Sequence, residues 1–225
     1  MNGKIVTFKS NGGTASGYLS LPASGKGKAV ILLQEWWGLV DHIKDVADRL
    51  AKEGYTVLAP DLYHGEATNN PTDAQKLAMA MEISQVEKDV RGCVEYLLSS
   101  GHSSSSSVEI VGFCMGGALS LYSACLNPQI SACIVFYGIR KDVENKFDQL
   151  KAKVIGFFGD QDKANPLERV HDVESKLKKV DSSNKFTVYE GAQHAFFNDT
   201  RPAYNPEAAK DAWGKMLNFF NSTIQ

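Results

Sequence analysis

The apolar residues of the chain form short continuous runs that alternate with longer segments of helical spacing. A run without polar interruption is typical of a strand that is buried on both faces of a parallel sheet. Two short runs at the start flank a polar, glycine-containing segment at 10–16 and predict an opening hairpin. The strands predicted in this way are residues 5–8, 18–21, 29–33, 55–59, 130–136, 153–158 and 185–190.

Helical spacing of apolar positions is found between these runs. Residues 41–53 have this spacing, and Gly54 marks the end of the predicted helix. Asn70 and Pro71 fit an N-cap followed by proline at the first helical position, so a helix is expected to begin there. The segment that follows, residues 72–100, is long enough for one long helix or two.

Two more helices are predicted in the second half of the chain. Residues 165–168, Asn-Pro-Leu-Glu, fit an N-cap, a first-turn proline and a capping-box glutamate. Residues 205–207 start a C-terminal helix. The five serines at 103–107 have low complexity and predict a flexible surface loop.

Strands that alternate with helices predict an α/β domain with a mainly parallel central sheet and helices on both faces. The sequence has no internal repeat and no linker that would divide it. We therefore expect one domain over residues 1–225.

Composition narrows the classes of protein that the chain can belong to. A formal net charge of −2 over 225 residues implies no surface for polyanions, so a nucleic-acid partner is not expected. No apolar run approaches the ~20 residues of a membrane span, and residues 1–5 lack the apolar core of a signal peptide. The four cysteines, Cys93, Cys114, Cys125 and Cys133, do not form a disulfide framework. These features predict a cytoplasmic, reduced protein.

Residues 108–121 have the pattern of a nucleophile elbow. An apolar strand leads into Gly112-Phe113-Cys114-Met115-Gly116, and a helix with small residues follows. Cys114 stands where most such elbows have serine. We expect side chains at 112 and 116 to collide with the neighbouring backbone. The alternative is a glycine turn used for packing or for nucleotide binding.

An acid and a base follow two later strands. Because ligands meet the carboxyl ends of parallel strands, reactive groups are expected just after strands. Residues 159–162, Gly-Asp-Gln-Asp, follow one strand, and His194 follows the last one. The order nucleophile, acid, histidine is that of the α/β-hydrolases. Either Asp160 or Asp162 could be the acid on these grounds alone.

These motifs, together with Gln-Glu-Trp-Trp-Gly-Leu at 34–39, make the sequence resemble the dienelactone hydrolase family of the α/β-hydrolase fold. The resemblance implies that Cys114 is the nucleophile, Asp162 the triad acid and His194 the base, with no cofactor and no metal. Asp160 is then interpreted as a turn residue that caps backbone amides.

The resemblance also predicts an oxyanion hole and an unusual carboxylate. The N–H of Met115, the residue after the nucleophile, is expected to be one donor. The second donor comes from the loop after residues 29–33, and the resemblance indicates the Trp36 N–H. It further implies that Glu35 contacts the cysteine and helps to switch on its thiolate when substrate binds. A structural salt bridge is the alternative for Glu35.

The residues expected to bind the substrate differ from those of the best-known members of the family, which hold a substrate carboxylate with arginines. Residues 195–198 have no arginine, and residues 61–85 have only Lys76 as a fixed cation. Dienelactone itself is therefore not the expected substrate. The aromatic residues that predict an apolar pocket instead are Trp36, Trp37, Tyr63, Phe196 and Phe197.

The remaining cysteines and histidines predict no second chemistry. Cys93, Cys125 and Cys133 lie in apolar segments that are typical of a core. The other histidines lack the paired spacing of a metal site and are interpreted as surface or capping residues, with His64 near enough to border the pocket. They are His42, His64, His102 and His171.

The sequence therefore predicts a cysteine-dependent hydrolase of small esters or lactones that forms an acyl-thioester, with water and a small molecule as partners. It is expected to be a monomer or a weak homodimer. The alternative is a non-catalytic ligand-binding or scaffold protein on the same fold. A redox-sensing thiol would need a resolving cysteine, and Cys125 is badly placed for that role.

Overall fold

The computed structural model describes residues 3–10 and 12–223. The described residues do not include Met1 and Asn2, or Asn11 of the predicted hairpin segment. The chain divides into two compact units, Met1–Ile110 and Val111–Gln225, and the boundary falls inside a strand. A single domain stays a prediction.

The first unit contains the predicted hairpin and an α/β part. Its strand order is β1-β2-β4-β3-β5. Strands β1 and β2 pair antiparallel, β2 pairs antiparallel with β4, and β3 and β4 are parallel. Its elements are β1 (Lys4–Ser10), β2 (Gly13–Ser20), β3 (Gly27–Leu33), α1 (Asp41–Lys52), β4 (Tyr55–Pro60), α2 (Pro71–Ala80), α3 (Ile83–Ser99) and most of β5 (Ser103–Phe113).

The segment that could hold one helix or two contains two, α2 and α3, with a break at Met81 and Glu82. The Oδ1 of Asn70 accepts a hydrogen bond of 2.9 Å from the Thr72 N–H, which confirms the predicted N-cap. The apolar face of α3 is buried, as its spacing predicts, at Val86, Val90, Val94 and Leu97.

The five-serine run is not a loop, so that prediction is wrong. It forms the first half of β5, and its side chains alternate between half-buried and exposed, which is the period of a strand. The Ser105 hydroxyl donates to the Ser107 carbonyl at 2.8 Å and accepts from the Ala29 N–H of β3 at 3.3 Å. Pairing with a neighbouring strand, rather than the local serine composition, therefore determines the conformation of this segment.

The second unit has the strand order β5-β6-β7-β8, and β6, β7 and β8 run parallel. Parallel strands place their carboxyl ends at one edge, so the turns that follow β7 and β8 lie at that edge. Its elements are the end of β5, α4 (Met115–Leu126), β6 (Ile130–Phe136), a 3₁₀ turn (Phe147–Gln149), β7 (Lys153–Gly159), α5 (Leu167–Val180), β8 (Lys185–Tyr189) and α6 (Pro206–Thr223).

The eight strands are mainly parallel and are connected by helices, which confirms the predicted α/β class. Within residues 3–10 and 12–223, none of the helices combines the length and apolarity that crossing a membrane requires.

Candidate active site

Cys114 occupies a sharp turn between β5 and α4. Its backbone has φ 54° and ψ −117°, a combination that residues with a Cβ rarely adopt and that costs about 1–3 kcal/mol. The turn is fixed from both sides, because the Cys114 N–H donates to the Phe136 carbonyl at 2.9 Å and the Gly117 N–H donates to the Cys114 carbonyl at 3.0 Å. The thiol is therefore held at the N-terminus of α4, where the helix dipole favours a negative charge.

Glycine at position 112 is required by the close approach of the α4 backbone. A Cβ at Gly112 would lie 2.0 Å from the Gly116 carbonyl oxygen, far inside van der Waals contact. This confirms the collision expected at position 112. The same helix leaves no room at Gly138, whose Cβ would lie 2.1 Å from the Cys114 carbonyl oxygen.

Replacing Gly112 with alanine is expected to destabilise the protein by about 3 kcal/mol, because backbone rather than a flexible side chain must move. The measurement is the free energy of unfolding in urea. Gly214→Ala in α6 is the matched control, because its added Cβ meets nothing within 4 Å. Equal stability of both variants would contradict the tight elbow.

His194 connects the thiol to a buried carboxylate. Its Nε2 lies 3.0 Å from the Cys114 Sγ, and its Nδ1 lies 2.8 Å from Asp162 Oδ2. The Asp162 side chain is fully buried, whereas the imidazole is about one-third exposed. The structure thus brings together the three residues that the sequence singled out, in the order thiol, imidazole, carboxylate.

Backbone amides orient the carboxylate of Asp162. Its Oδ1 accepts hydrogen bonds from the N–H groups of Ala164 at 2.8 Å and Asn165 at 3.2 Å. Its Oδ2 faces His194 and also accepts from the Asn165 side chain at 2.9 Å. Because both oxygens have donors, the carboxylate is held in its charged form and in one orientation.

Asn165 is a site residue that the sequence did not reveal. Its Nδ2 also donates to the Tyr137 carbonyl at 2.9 Å, and its Oδ1 accepts from the Ile139 N–H at 2.9 Å. The prediction that Asn165 caps α5 is wrong, since the N-cap is Pro166 and no side chain caps that helix. The Asn-Pro pair is a common cap signal, and it concealed a residue that ties the Asp162 loop to the end of β6.

Asp160 has a different environment from Asp162. Its Oδ1 accepts a hydrogen bond of 2.8 Å from the Gly191 N–H, and its own N–H donates to the Tyr189 carbonyl at 3.1 Å. Asp160 therefore joins the turns after β7 and β8, as expected of a turn residue that caps backbone amides.

The electrostatics of the site are those of an ion pair. Burial lowers the pKa of His194, but its hydrogen bonds to Asp162 and Cys114, and their negative charges, outweigh this and raise the pKa to about 10. Burial opposes the charge on Asp162 as well, yet the His194 hydrogen bond and charge and the bonds from Asn165 and Ala164 hold the pKa of Asp162 below its usual value.

Phe196 and Phe197 lie in the core rather than on a pocket wall, which corrects their predicted role. Their exposed fractions are 0% and 1%. The Phe197 ring packs 4.9 Å from Phe136, and the Phe196 ring packs 5.4 Å from Tyr137, whose own ring lies 5.2 Å from the His194 imidazole. Both side chains are therefore core residues that do not meet solvent.

Apart from Met115, the other predicted site residues belong to the first unit. Glu35 is buried, and the half-buried rings of Trp36 and Trp37 lie 5.0 Å apart, edge to face. The Tyr63 hydroxyl donates to the Trp36 carbonyl at 3.1 Å. The Glu35 contact with the cysteine and the oxyanion donors Trp36 and Met115 stay predictions. Lys76 is exposed on α2 and pairs with Asp73.

The remaining cysteines are free thiols inside the fold. Burial raises the pKa of Cys125 to about 12 and raises the pKa values of Cys93 and Cys133 well above the usual range. Thiols in such surroundings are inert, because the thiolate is the reactive form.

A cysteine elbow, a later carboxylate and a final histidine on a mainly parallel sheet define an α/β-hydrolase. The Dienelactone hydrolase family matches residues 15–224. Protein usf of Aquifex pyrophilus is 35% identical over 230 residues, which is 99% of each chain. A protein of Aquifex aeolicus (strain VF5), provisionally named a carboxymethylenebutenolidase, is 32% identical over 99% of this chain and 100% of its own.

A solved structure is similar over nearly the whole length. It is provisionally described as a dienelactone hydrolase, from Klebsiella pneumoniae subsp. pneumoniae MGH 78578. It superposes with a TM-score of 0.85 at 30% identity, over 97% of this chain and 99% of its own. The chain belongs to the dienelactone hydrolase family. This is a family of hydrolases, which act on a small-molecule substrate with water.

Proposed function

We propose that the protein is a cysteine-dependent hydrolase of small carboxylic esters or lactones that works through an acyl-thioester. The observation that carries this proposal is the hydrogen-bonded chain from the Cys114 Sγ through His194 to Asp162, at 3.0 and 2.8 Å. A protein that only binds a ligand would not need a thiol, a base and a buried acid in one line.

Hydrolysis on this site needs two displacements. In the first, the thiol proton is on His194, the sulfur electron pair forms a C–S bond to the carbonyl carbon, and the C–O bond breaks as the alcohol leaves with the His194 proton. In the second, water gives a proton to His194, its oxygen attacks the thioester carbon, and the C–S bond breaks to release the acid. A lactone yields a hydroxy acid by the same steps.

The raised pKa of His194 fits the role of proton donor in the first displacement. The imidazolium carries the proton that the leaving alcohol needs, and its charge stabilises the sulfur anion once the thiolate has formed. Asp162 supplies the opposite charge that keeps this imidazolium in place.

The developing oxyanion requires hydrogen-bond donors that are already in position. We assign this role to the N–H of Met115 at the start of α4 and to the N–H of Trp36, and loss of one such donor typically costs about 10²–10³-fold in rate. The hydrogen bond from Tyr63 to the Trp36 carbonyl restrains the backbone at the second donor.

Glu35 is proposed to take part in switching on the thiolate, since a buried carboxylate is costly unless it has a specific role or partner. Glu35→Gln is expected to lower ester turnover at least tenfold and to change the rate at which iodoacetamide alkylates Cys114 in the resting enzyme. Both rates are measured per mole of folded protein. A structural salt bridge predicts a lower melting temperature with both rates unchanged.

The substrate is proposed to be small and without a required carboxylate. Trp36, Trp37 and Tyr63 are the aromatic residues left to line a pocket once Phe196 and Phe197 are placed in the core. Apolar aromatic walls favour a neutral ester or lactone over a charged acid.

The proposal is tested by looking for the covalent intermediate. Mixing the enzyme with p-nitrophenyl acetate is expected to give a burst of nitrophenolate close to one equivalent, and intact mass spectrometry of the quenched enzyme should show one acetyl group on Cys114. Prior treatment with iodoacetamide should abolish both signals. Ligand affinity without turnover of any ester, lactone or thioester would instead support the scaffold alternative.

A further inference from the structure

A cavity of about 250 Å³ lies in the first unit, between the segment after β4 and the junction of α2 and α3. All of its lining residues belong to this unit. Drug-sized ligands occupy about 300–1,000 Å³, so this cavity suits a smaller molecule. Its lining residues are Leu62, Tyr63, His64, Glu66, Leu77, Ala80, Met81, Glu82, Gln85, Val86 and Asp89.

Asp89 gives this cavity a polar end. The residue is 1% exposed, and its Oδ1 accepts hydrogen bonds from the Ser10 hydroxyl and from Gln85 Nε2, the latter at 2.9 Å. Its Oδ2 is buried and receives no hydrogen bond from the described residues. A buried carboxylate oxygen that receives no hydrogen bond is costly, so this atom can accept one from a bound molecule.

The charge around the cavity is negative. Glu66 and Glu82 are exposed at its rim, and Asp89 is buried within it. Of the described residues that line it, His64 is the one that can carry a positive charge, and its Nε2 lies 3.4 Å from Asp89 Oδ2 with almost half of its side chain in solvent. A donor at this distance is longer than a good hydrogen bond and leaves room for competition.

We propose that this cavity binds a small organic cation, an ammonium group carried on a short apolar chain. The ammonium would donate to Asp89 Oδ2, and the apolar chain would lie against Leu62, Leu77, Met81 and Val86. An ammonium has three donors and no acceptor, which matches a carboxylate oxygen that receives no hydrogen bond from the described residues. An alcohol would leave the charge of Asp89 unbalanced, and a carboxylate would be repelled.

The first test compares three molecules that differ only in the polar end: n-hexylammonium chloride, hexan-1-ol and sodium hexanoate. Titration of the ¹⁵N-labelled protein, followed at the amides of Leu77, Ala80 and Met81, is expected to show hexylammonium binding at least tenfold more tightly than the other two. Equal affinities for the three molecules would overturn the proposal, and so would the absence of any shift at these amides.

The second test removes the charge of Asp89. Asp89→Asn keeps the shape and the acceptor for Ser10 and Gln85, and it should lower hexylammonium affinity at least tenfold. Glu82→Gln is the matched control, because it removes an exposed rim carboxylate and should change affinity less than threefold. Equal losses in both variants would show that diffuse negative charge, not Asp89, attracts the cation.

A third variant tests the cavity without any change at Asp89, so it remains informative if Asp89→Asn does not fold. Ala80 is an exposed lining residue at the end of α2, and Ala80→Phe should block the cavity and abolish hexylammonium binding. Undiminished binding in Ala80→Phe would place the ligand elsewhere. Because none of these residues belongs to the Cys114–His194–Asp162 chain, ester turnover is expected to stay within twofold in all three variants.

Discussion

Replacement of Cys114 by alanine is expected to reduce ester hydrolysis on the order of 10⁶-fold, to a rate near background. The side chain that forms the C–S bond is then missing, and His194 has no thiol to deprotonate at 3.0 Å. The measurement is kcat/KM for p-nitrophenyl acetate, with the acetylated enzyme sought by intact mass spectrometry. The melting temperature should not fall, since alanine fits the space of the thiol.

Cys125→Ala is the matched control for this experiment. Cys125 lies in the same helix region but is buried, and burial raises the pKa of its thiol to about 12. It should retain ester turnover within about threefold, as expected of a residue outside a site. Full activity of Cys114→Ala would exclude the covalent mechanism, whereas equal loss in both variants would point to a disturbed fold.

Replacement of Asp162 by asparagine is expected to lower kcat about 10³–10⁴-fold, because the imidazole loses both its orientation and the opposite charge. The hydrogen bond and charge of Asp162 raise the pKa of His194, so their loss should also move that pKa down from about 10. The imidazolium then disappears at a lower pH, and the alkaline limb of the pH–rate profile moves the same way. An NMR titration of the His194 ring measures the shift directly.

Asp160→Asn serves as the control, since it removes a carboxylate two residues away whose Oδ1 accepts a hydrogen bond from the Gly191 N–H. Activity and the His194 titration should change little. If Asp160→Asn abolished activity and Asp162→Asn did not, the two carboxylates would exchange roles.

The part of the site that follows directly from strand ends could be predicted from the sequence. Cys114, Asp162 and His194 each come just after a strand of a parallel sheet, and a parallel sheet brings those ends to one edge. The hydrophobic pattern predicts these strand ends, but it leaves Asp160 and Asp162 open as the acid, and the family resemblance is what favours Asp162.

The rest depends on contacts that are distant in sequence. The 103–107 serines become a strand because β3 accepts them as a partner, which composition does not reveal. Asn165 has the local sequence of a helix cap, and only the fold directs its amide to Asp162 and Tyr137. Phe196 and Phe197 come two and three residues after His194, and only packing shows that they are core residues.

The backbone at Cys114 implies that the stability of the fold and the proposed reaction place opposite demands on this residue. Glycine reaches φ 54° without the penalty that a Cβ incurs there, so the most stable sequence for this turn lacks a nucleophile. Evolution under thermal stress alone would favour that change, and a library screened only for heat resistance would enrich inactive proteins. A cysteine at a position that favours glycine therefore fits the proposed role of Cys114 as the nucleophile, because that role would offset the stability lost at this turn.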